Sequence, residues 1–267
     1  MTLLPTLLYT LLGVYFWHVR LKDEAMAHPG VRIGERIAIA LAITVHGGVL
    51  YTQIFQNHSM HFGFSYALSM MLWLAVLVYW IESLYVRWVG LQVLTLPLAA
   101  FCALLPIAFP GRHTLAEAGS VEFQAHFLVA MFAYSLFTLA ALHAIVMAVV
   151  ERQLHQGKFA KGFGALPPLL KMETILFRLI FFAWVLLTLA LISGIAFSET
   201  LFGKPFTLTH KTLFSFISWG LFLALLIGRH IYGWRGRLAI RWTLFGFVML
   251  LLAYVGSRFV LEVILGR

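Results

Sequence analysis

Acids and cysteines are what this 267-residue chain has least of: ten Asp and Glu together, of which Asp23 is the sole aspartate, and one cysteine, Cys102. So few carboxylates leave little material for chemistry built on paired intramembrane acids. One cysteine inside an apolar run excludes a disulfide, a CxxC pair and a thiolate metal site, and reads as a small buried hydrophobe. Charge of either sign is scarce: charged residues make up 11% of the chain, against 62% apolar, with a mean hydropathy of +0.93. An ordinary soluble domain carries about a quarter charged residues to cover its surface. This chain cannot cover one, and its composition is that of an integral membrane protein.

About 20 apolar residues cross a hydrocarbon core. On that length the sequence predicts eight helices, at roughly 3–19, 37–56, 64–85, 88–109, 122–150, 174–197, 211–229 and 239–263. The expected fold is therefore all-α, a polytopic membrane helix bundle in one integral domain, 1–267, with four-helix halves at 1–120 and 121–267. The first run is too long, and too poor in small-residue cleavage signals, for a removable leader.

The net charge of +9 follows from topology. Fourteen of the 19 Lys and Arg fall on one side of the predicted bundle, among them Arg20, Lys22, Arg152, Arg229, Arg235, Arg237 and Arg241. The other side holds Arg112, Lys204, Lys211, Arg258 and Arg267. Cytoplasmic loops carry the excess, which puts both termini on the outer face. It also removes the reason to invoke nucleic acid, since the basic residues sit in short loops between apolar runs and not on one soluble face. The longest interruption, Glu151 to Lys171, is expected to be a cytoplasmic link between the halves. Three shorter outer loops cover Gln56 to Gly63, Pro110 to Val121 and Glu199 to Thr209.

Histidine is the abundant chemical group, with eleven copies. Polar residues at membrane depth are costly and default to functional hypotheses. His126 and His210 stand at the outer starts of the fifth and seventh spans, within about a turn of the same face. Two neutral imidazoles at one depth on facing helices suit a bis-histidine haem; each alone is also compatible with an interfacial histidine wetted by headgroups. His143 and His230 form an inner pair on the same two helices. Helix phase turns them by about 260° and 200° from the outer pair, so they need not face the same cavity, and His230 also reads as a plain boundary residue. His46 lies mid-span, followed by Gly47 and Gly48, whose lack of bulk would admit a flat macrocycle or a close-packed helix. His58 and His61 in the outer loop Gln56 to Gly63 could guard such a cavity but form no ligand motif. Arg258 needs an anionic partner, either a haem propionate or Glu262 one turn on.

The stretch His210-Lys211-Thr212-Leu213-Phe214-Ser215-Phe216-Ile217-Ser218-Trp219, followed by Gly233-Trp234-Arg235-Gly236-Arg237 and Leu244-Phe245-Gly246-Phe247, resembles the C-terminal half of the cytochrome c assembly membrane-protein family. That family takes in CcsA-, CcmC- and HemX-like proteins, and the likeness is greatest to its small HemX-like or YpjD-like members. His126, leading into Ala133-Tyr134-Ser135, is similar to the family's first external haem histidine. The likeness covers roughly 120–260. It implies a haem-binding, multi-pass protein of the bacterial inner membrane in cytochrome c assembly or haem handling. The expected haem is b-type, its iron bound by His126 and His210, and its partners are membrane lipid and cytochrome assembly or haem-biosynthesis proteins.

Two departures bear on that expectation. CcsA and CcmC carry a tryptophan-rich outer loop ending in Trp-Asp that presents haem; Gly203-Lys204-Pro205-Phe206-Thr207-Leu208-Thr209-His210 has no Trp. Where the family's second external histidine is expected, Tyr254-Val255-Gly256-Ser257-Arg258 stands, which leaves His210 as the substitute. Two other classes remain open on the residues alone. One is a membrane b-type cytochrome taking electrons from quinol, which needs haems at two depths. The other is a proton-coupled secondary transporter using His46. The haem-binding role that the resemblance implies involves no catalytic residue.

Overall fold

The computed structural model describes residues 2–18, 31–56, 59–85, 90–110, 114–115, 120–156, 168–198 and 209–266. Within these, eight helices run in chain order: α1 (Leu4–Phe16), α2 (Ile33–Ile54), α3 (Phe64–Tyr85), α4 (Gln92–Ala108), α5 (Val121–His155), α6 (Leu169–Ala196), α7 (His210–Tyr232) and α8 (Gly236–Ile264). The chain is an all-α polytopic membrane helix bundle. Six of the helices are long and apolar enough to cross a membrane. The other two are apolar but short. At 1.5 Å per residue, the 13 residues of α1 and 17 of α4 reach about 20 Å and 26 Å, under the roughly 30 Å of a hydrocarbon core.

Local sequence sets the ends. Ser120 caps α5 by accepting a hydrogen bond from Phe123 N (3.2 Å), and Thr209 caps α7 by accepting one from Thr212 N (3.4 Å), the preferred use of hydroxyls at helix starts. Between α7 and α8 the chain turns through Gly233 and Gly236, with φ of +65° and +55°, a left-handed region that glycine enters without Cβ cost. Trp234 N donates to Gly228 O (3.1 Å) and closes that turn.

α5 is the central helix, with 72% of its apolar window buried, whereas α7 and α8 bury 22% and 17% of theirs and face outward. Small residues let it pack closely: Ala133, Ala140 and Ala144 of α5 and Ala183 of α6 are fully buried, as expected where lipid supplies no hydrophobic drive between helices. Phe137 of α5 stacks on Phe222 of α7. Hydrogen bonds tie the layers: Trp73 Nε1 to Ile43 O (2.8 Å), Trp80 Nε1 to Arg36 O (2.9 Å), Ser218 Oγ to Gly246 O (2.9 Å) and Trp219 Nε1 to Thr188 Oγ1 (2.9 Å).

At one end, short strands β1 (Phe55–Gln56), β2 (Ser59–His61) and β3 (Thr114–Leu115) form an antiparallel sheet in that order, pairing Phe55 with Met60 and Met60 with Leu115. The two loops expected there satisfy part of their backbone on each other. At the opposite end Glu173, nearly buried, pairs with Arg229 and lies 3.9 Å from Arg235, while Arg229 also stacks over the Phe177 ring at 4.4 Å.

Candidate functional site at the sheet-bearing end

Because α5 and α6 are antiparallel neighbours, the first turns of α5 meet the last turns of α6. There His126 Nδ1 lies 2.9 Å from the Ser193 hydroxyl, and its ring covers Gly194, where a Cβ would come within 3.3 Å of Cε1. A hydroxyl on one ring nitrogen and glycine beneath the ring fix the orientation of an imidazole that is otherwise half-buried.

α7 returns alongside α6, with Trp219 bonded to Thr188 and stacked on Trp184. Counting outward from that tie, Ser193 is five residues up α6 and His210 nine residues up α7. His210 therefore sits about 6 Å, or one turn, farther out than the His126 level. It is exposed. The two histidines share an end of the bundle on helices that flank α6.

The last turns of α8 complete this end. Tyr254 lies against Phe62, which meets Phe127 edge-on at 4.9 Å, and Phe127 stacks with Phe123. Phe64 meets Phe259 edge-on. Above these rings lie three charges: Lys211 is within electrostatic range of both Arg258 and Glu262, and Arg258 lies against Tyr254. Glu262 Oε2 accepts from Phe64 N (3.3 Å) and so sits at the start of α3, where a carboxylate meets the positive end of the helix. Among the described residues, no ion pair joins Glu262 to Arg258 or Lys211. The one-turn pairing of Arg258 with Glu262 is thus not formed. The Glu262 carboxylate is turned instead to the start of α3, against Gly63 and the Phe64 N–H, on a last stretch of α8 that is π-helical over Leu252–Gly256 and Val260–Ile264. Arg258 Nε and Glu262 Oε1 are both buried without a hydrogen-bond partner.

The other histidines lie elsewhere. His46 is buried between α1, α2 and α3, with Nδ1 3.3 Å from Tyr9 Oη and Nε2 3.0 Å from Ser69 Oγ. Both ring nitrogens are engaged by hydroxyls. Gly47 beside it is a packing glycine: a Cβ would fall 2.8 Å from the Trp73 ring, whereas Gly48 has nothing within 4 Å. His143 is fully buried at the far end of the α5–α6 seam, its Nε2 2.8 Å from Met172 O. His230 is exposed in the last turn of α7. His61 is in β2, in register with Thr114. His58, His28, His113, most of the glycine-rich loop after α5 and the loop Gly203 to Leu208 lie outside the described residues. No group of three His, Cys, Asp or Glu gathers as metal ligands among those described.

Sequence reasoning missed Ser193, Gly194 and the role of Lys211. Ser193-Gly194 was visible as the only adjacent small pair near the end of the sixth span, and Lys211 directly follows His210, but neither announces what it faces.

Comparison with known proteins adds a family. The model of the cytochrome c assembly protein family matches residues 36–265, taking in α2 to α4 as well as the 120–260 region whose motifs carry the resemblance. Inner membrane protein YpjD of Escherichia coli K12 is 34% identical over 139 residues, 52% of each chain. A 28.8 kDa protein from the nifR3-like 5′ region of Azospirillum brasilense is 32% identical over 141 residues, 53% of this chain and 52% of that one. Cytochrome c biogenesis protein CcsA of Prochlorococcus marinus strain MIT 9215 is 35% identical over 89 residues, 33% of this chain and 29% of that one. The chain spans about half the length of the first two and less of the third. No solved structure matches.

Proposed function

The chain belongs to the cytochrome c assembly protein family, and from that premise we propose that it is a haem-binding protein of the bacterial inner membrane, acting in cytochrome c assembly or haem handling. The proposed group is a b-type haem near the outer face, with His126 and His210 as axial ligands. Orientation follows the charge asymmetry: the sheet-bearing end, with Lys211 and Arg258, faces outward.

The observation that carries this reading is the charge cluster beside the histidines. Arg258 Nε is buried without a hydrogen-bond partner, and Lys211 lies near it with Glu262 as the one acid acting on it among the described residues. Two cations against one carboxylate leave a positive charge that one haem propionate would balance. The aromatic rings of Phe62, Phe123, Phe127 and Tyr254 supply apolar surface next to it. At His126, the Ser193 hydroxyl on Nδ1 sets the ring orientation, as the outer partner of a ligand imidazole does, and ligation would then use Nε2. Haem would supply redox chemistry or be the cargo itself. The loop between α6 and α7 contains no tryptophan, which favours holding or relaying haem over presenting it to an apocytochrome.

The test is the visible spectrum of the full chain purified after expression with ample haem. Stoichiometric b-type haem is expected, lost when His126 and His210 are both replaced by Ala. An absent Soret band, or one unchanged in the double variant, overturns the reading.

A further inference from the structure

At the end opposite His126, a cleft of about 460 Å³ opens between the last turns of α5 and the first turns of α8, within the roughly 300–1,000 Å³ of small-ligand sites. Arg152 and His155 line it from α5, and Arg237 and Arg241 from α8. Among the described residues Glu151 is the only acid in its wall, and it is taken by Arg237, whose Nε lies 3.0 Å from Oε1. Arg152 and Arg241 have no ion pair among the described residues. Two unpaired guanidinium groups from different helices thus line one cleft, a repulsive arrangement that an anion would relieve. Arg237 and Arg241 also lie in the first turn and a half of α8, whose start has no side-chain cap, so the helix dipole adds to their positive field.

The cleft is continuous with lipid-facing surface. Ala148 and Ile240 form part of its wall. On α8, Phe245 and Val248 continue the face of Arg237 and Arg241 at four- and three-residue steps; on α5, Ile145 and Val149 lie one turn in from Ala148 and Arg152. All four of these apolar side chains are exposed. α5 also outruns the hydrocarbon: its 35 residues measure about 52 Å, against a core of roughly 30 Å. Charge at the helix ends and exposed apolar side chains directly inward form a ligand-shaped amphipathic surface.

We propose that this cleft is a binding site for an anionic phospholipid, its phosphate held by Arg152 and Arg241 and its acyl chains lying along Phe245, Val248, Ile145 and Val149. The site is independent of the haem reading. Basic pockets between transmembrane helices recognise acidic headgroups in this way, and Arg237, held by Glu151, forms the fixed side of the pocket.

The experiment uses the full chain in phosphatidylcholine nanodiscs containing a small fraction of spin-labelled phosphatidylglycerol or spin-labelled phosphatidylcholine. The wild type should immobilise the anionic label in preference to the zwitterionic one, and a double Arg152→Gln, Arg241→Gln variant should lose a preference of roughly thirtyfold, the effect of two basic groups at a membrane surface. A double Arg→Lys variant at the same positions keeps the charge and should retain most of it, which separates lost binding from lost folding. No preference in the wild type, or an undiminished one in the Gln variant, overturns the proposal. So does displacement of the label by inorganic phosphate alone, which would make this a soluble-phosphate site.

Discussion

His126 Nδ1 and the Ser193 hydroxyl lie 2.9 Å apart across the α5–α6 seam, joining residues 67 positions apart at the end of the bundle that also carries His210, Lys211 and Arg258. The contact costs little to remove as a structural bond, about 1 kcal/mol for a neutral pair. As an outer partner of a ligand imidazole it should count for more. Ser193→Ala is expected to weaken haem affinity by roughly 10- to 100-fold while barely moving the unfolding midpoint, measured by haem titration beside thermal unfolding in the same detergent. Equal haem affinity in the variant would show that Ser193 does not orient a ligand.

His46 makes the opposite prediction. Its ring is buried with Tyr9 and Ser69 on its two nitrogens, so His46→Ala leaves two hydroxyls unsatisfied and opens a cavity. A loss of about 2–5 kcal/mol of stability is expected, with haem content per folded chain unchanged. Haem lost in proportion to His46, at unaltered stability, would instead make it part of the site.

Gly228 tests the turn that positions α8. A Cβ there would overlap the Trp234 ring, and Trp234 N closes the turn on Gly228 O. Gly228→Val should therefore cost about 1–3 kcal/mol through overpacking, read as a lower unfolding midpoint. The same change at Gly220, where nothing lies within 4 Å of the added Cβ, should be close to neutral.

Long apolar runs made the helices legible. α3 spans Phe64–Tyr85, the expected 64–85, and α5, α6 and α7 begin within five residues of their expected starts because hydropathy changes sharply there. α1 and α4, described as Leu4–Phe16 and Gln92–Ala108, fall inside the expected 3–19 and 88–109, whose outer positions lie partly outside the described residues. The three-stranded sheet was invisible because strands of two or three residues carry no alternation to read. The π-winding of α8 was equally hidden, and so was the Phe64 N–H that draws Glu262 to the start of α3 and away from a pair with Arg258. Histidine depth was readable from helix rise, and the outer and inner pairs do fall at opposite ends. What each ring touches was not, since Ser193 for His126, Tyr9 and Ser69 for His46 and Met172 for His143 come from other helices.

The account rests on haem held between α5 and α7 at the outer end, and absorption spectroscopy of the purified full chain tests it most directly. Wild-type protein should show a Soret band from stoichiometric b-type haem. His126→Ala, His210→Ala should remove that band while keeping a monodisperse, helical protein, and His143→Ala and His230→Ala should leave it in place. A wild type without the band, or a double variant that keeps it in full, contradicts the account.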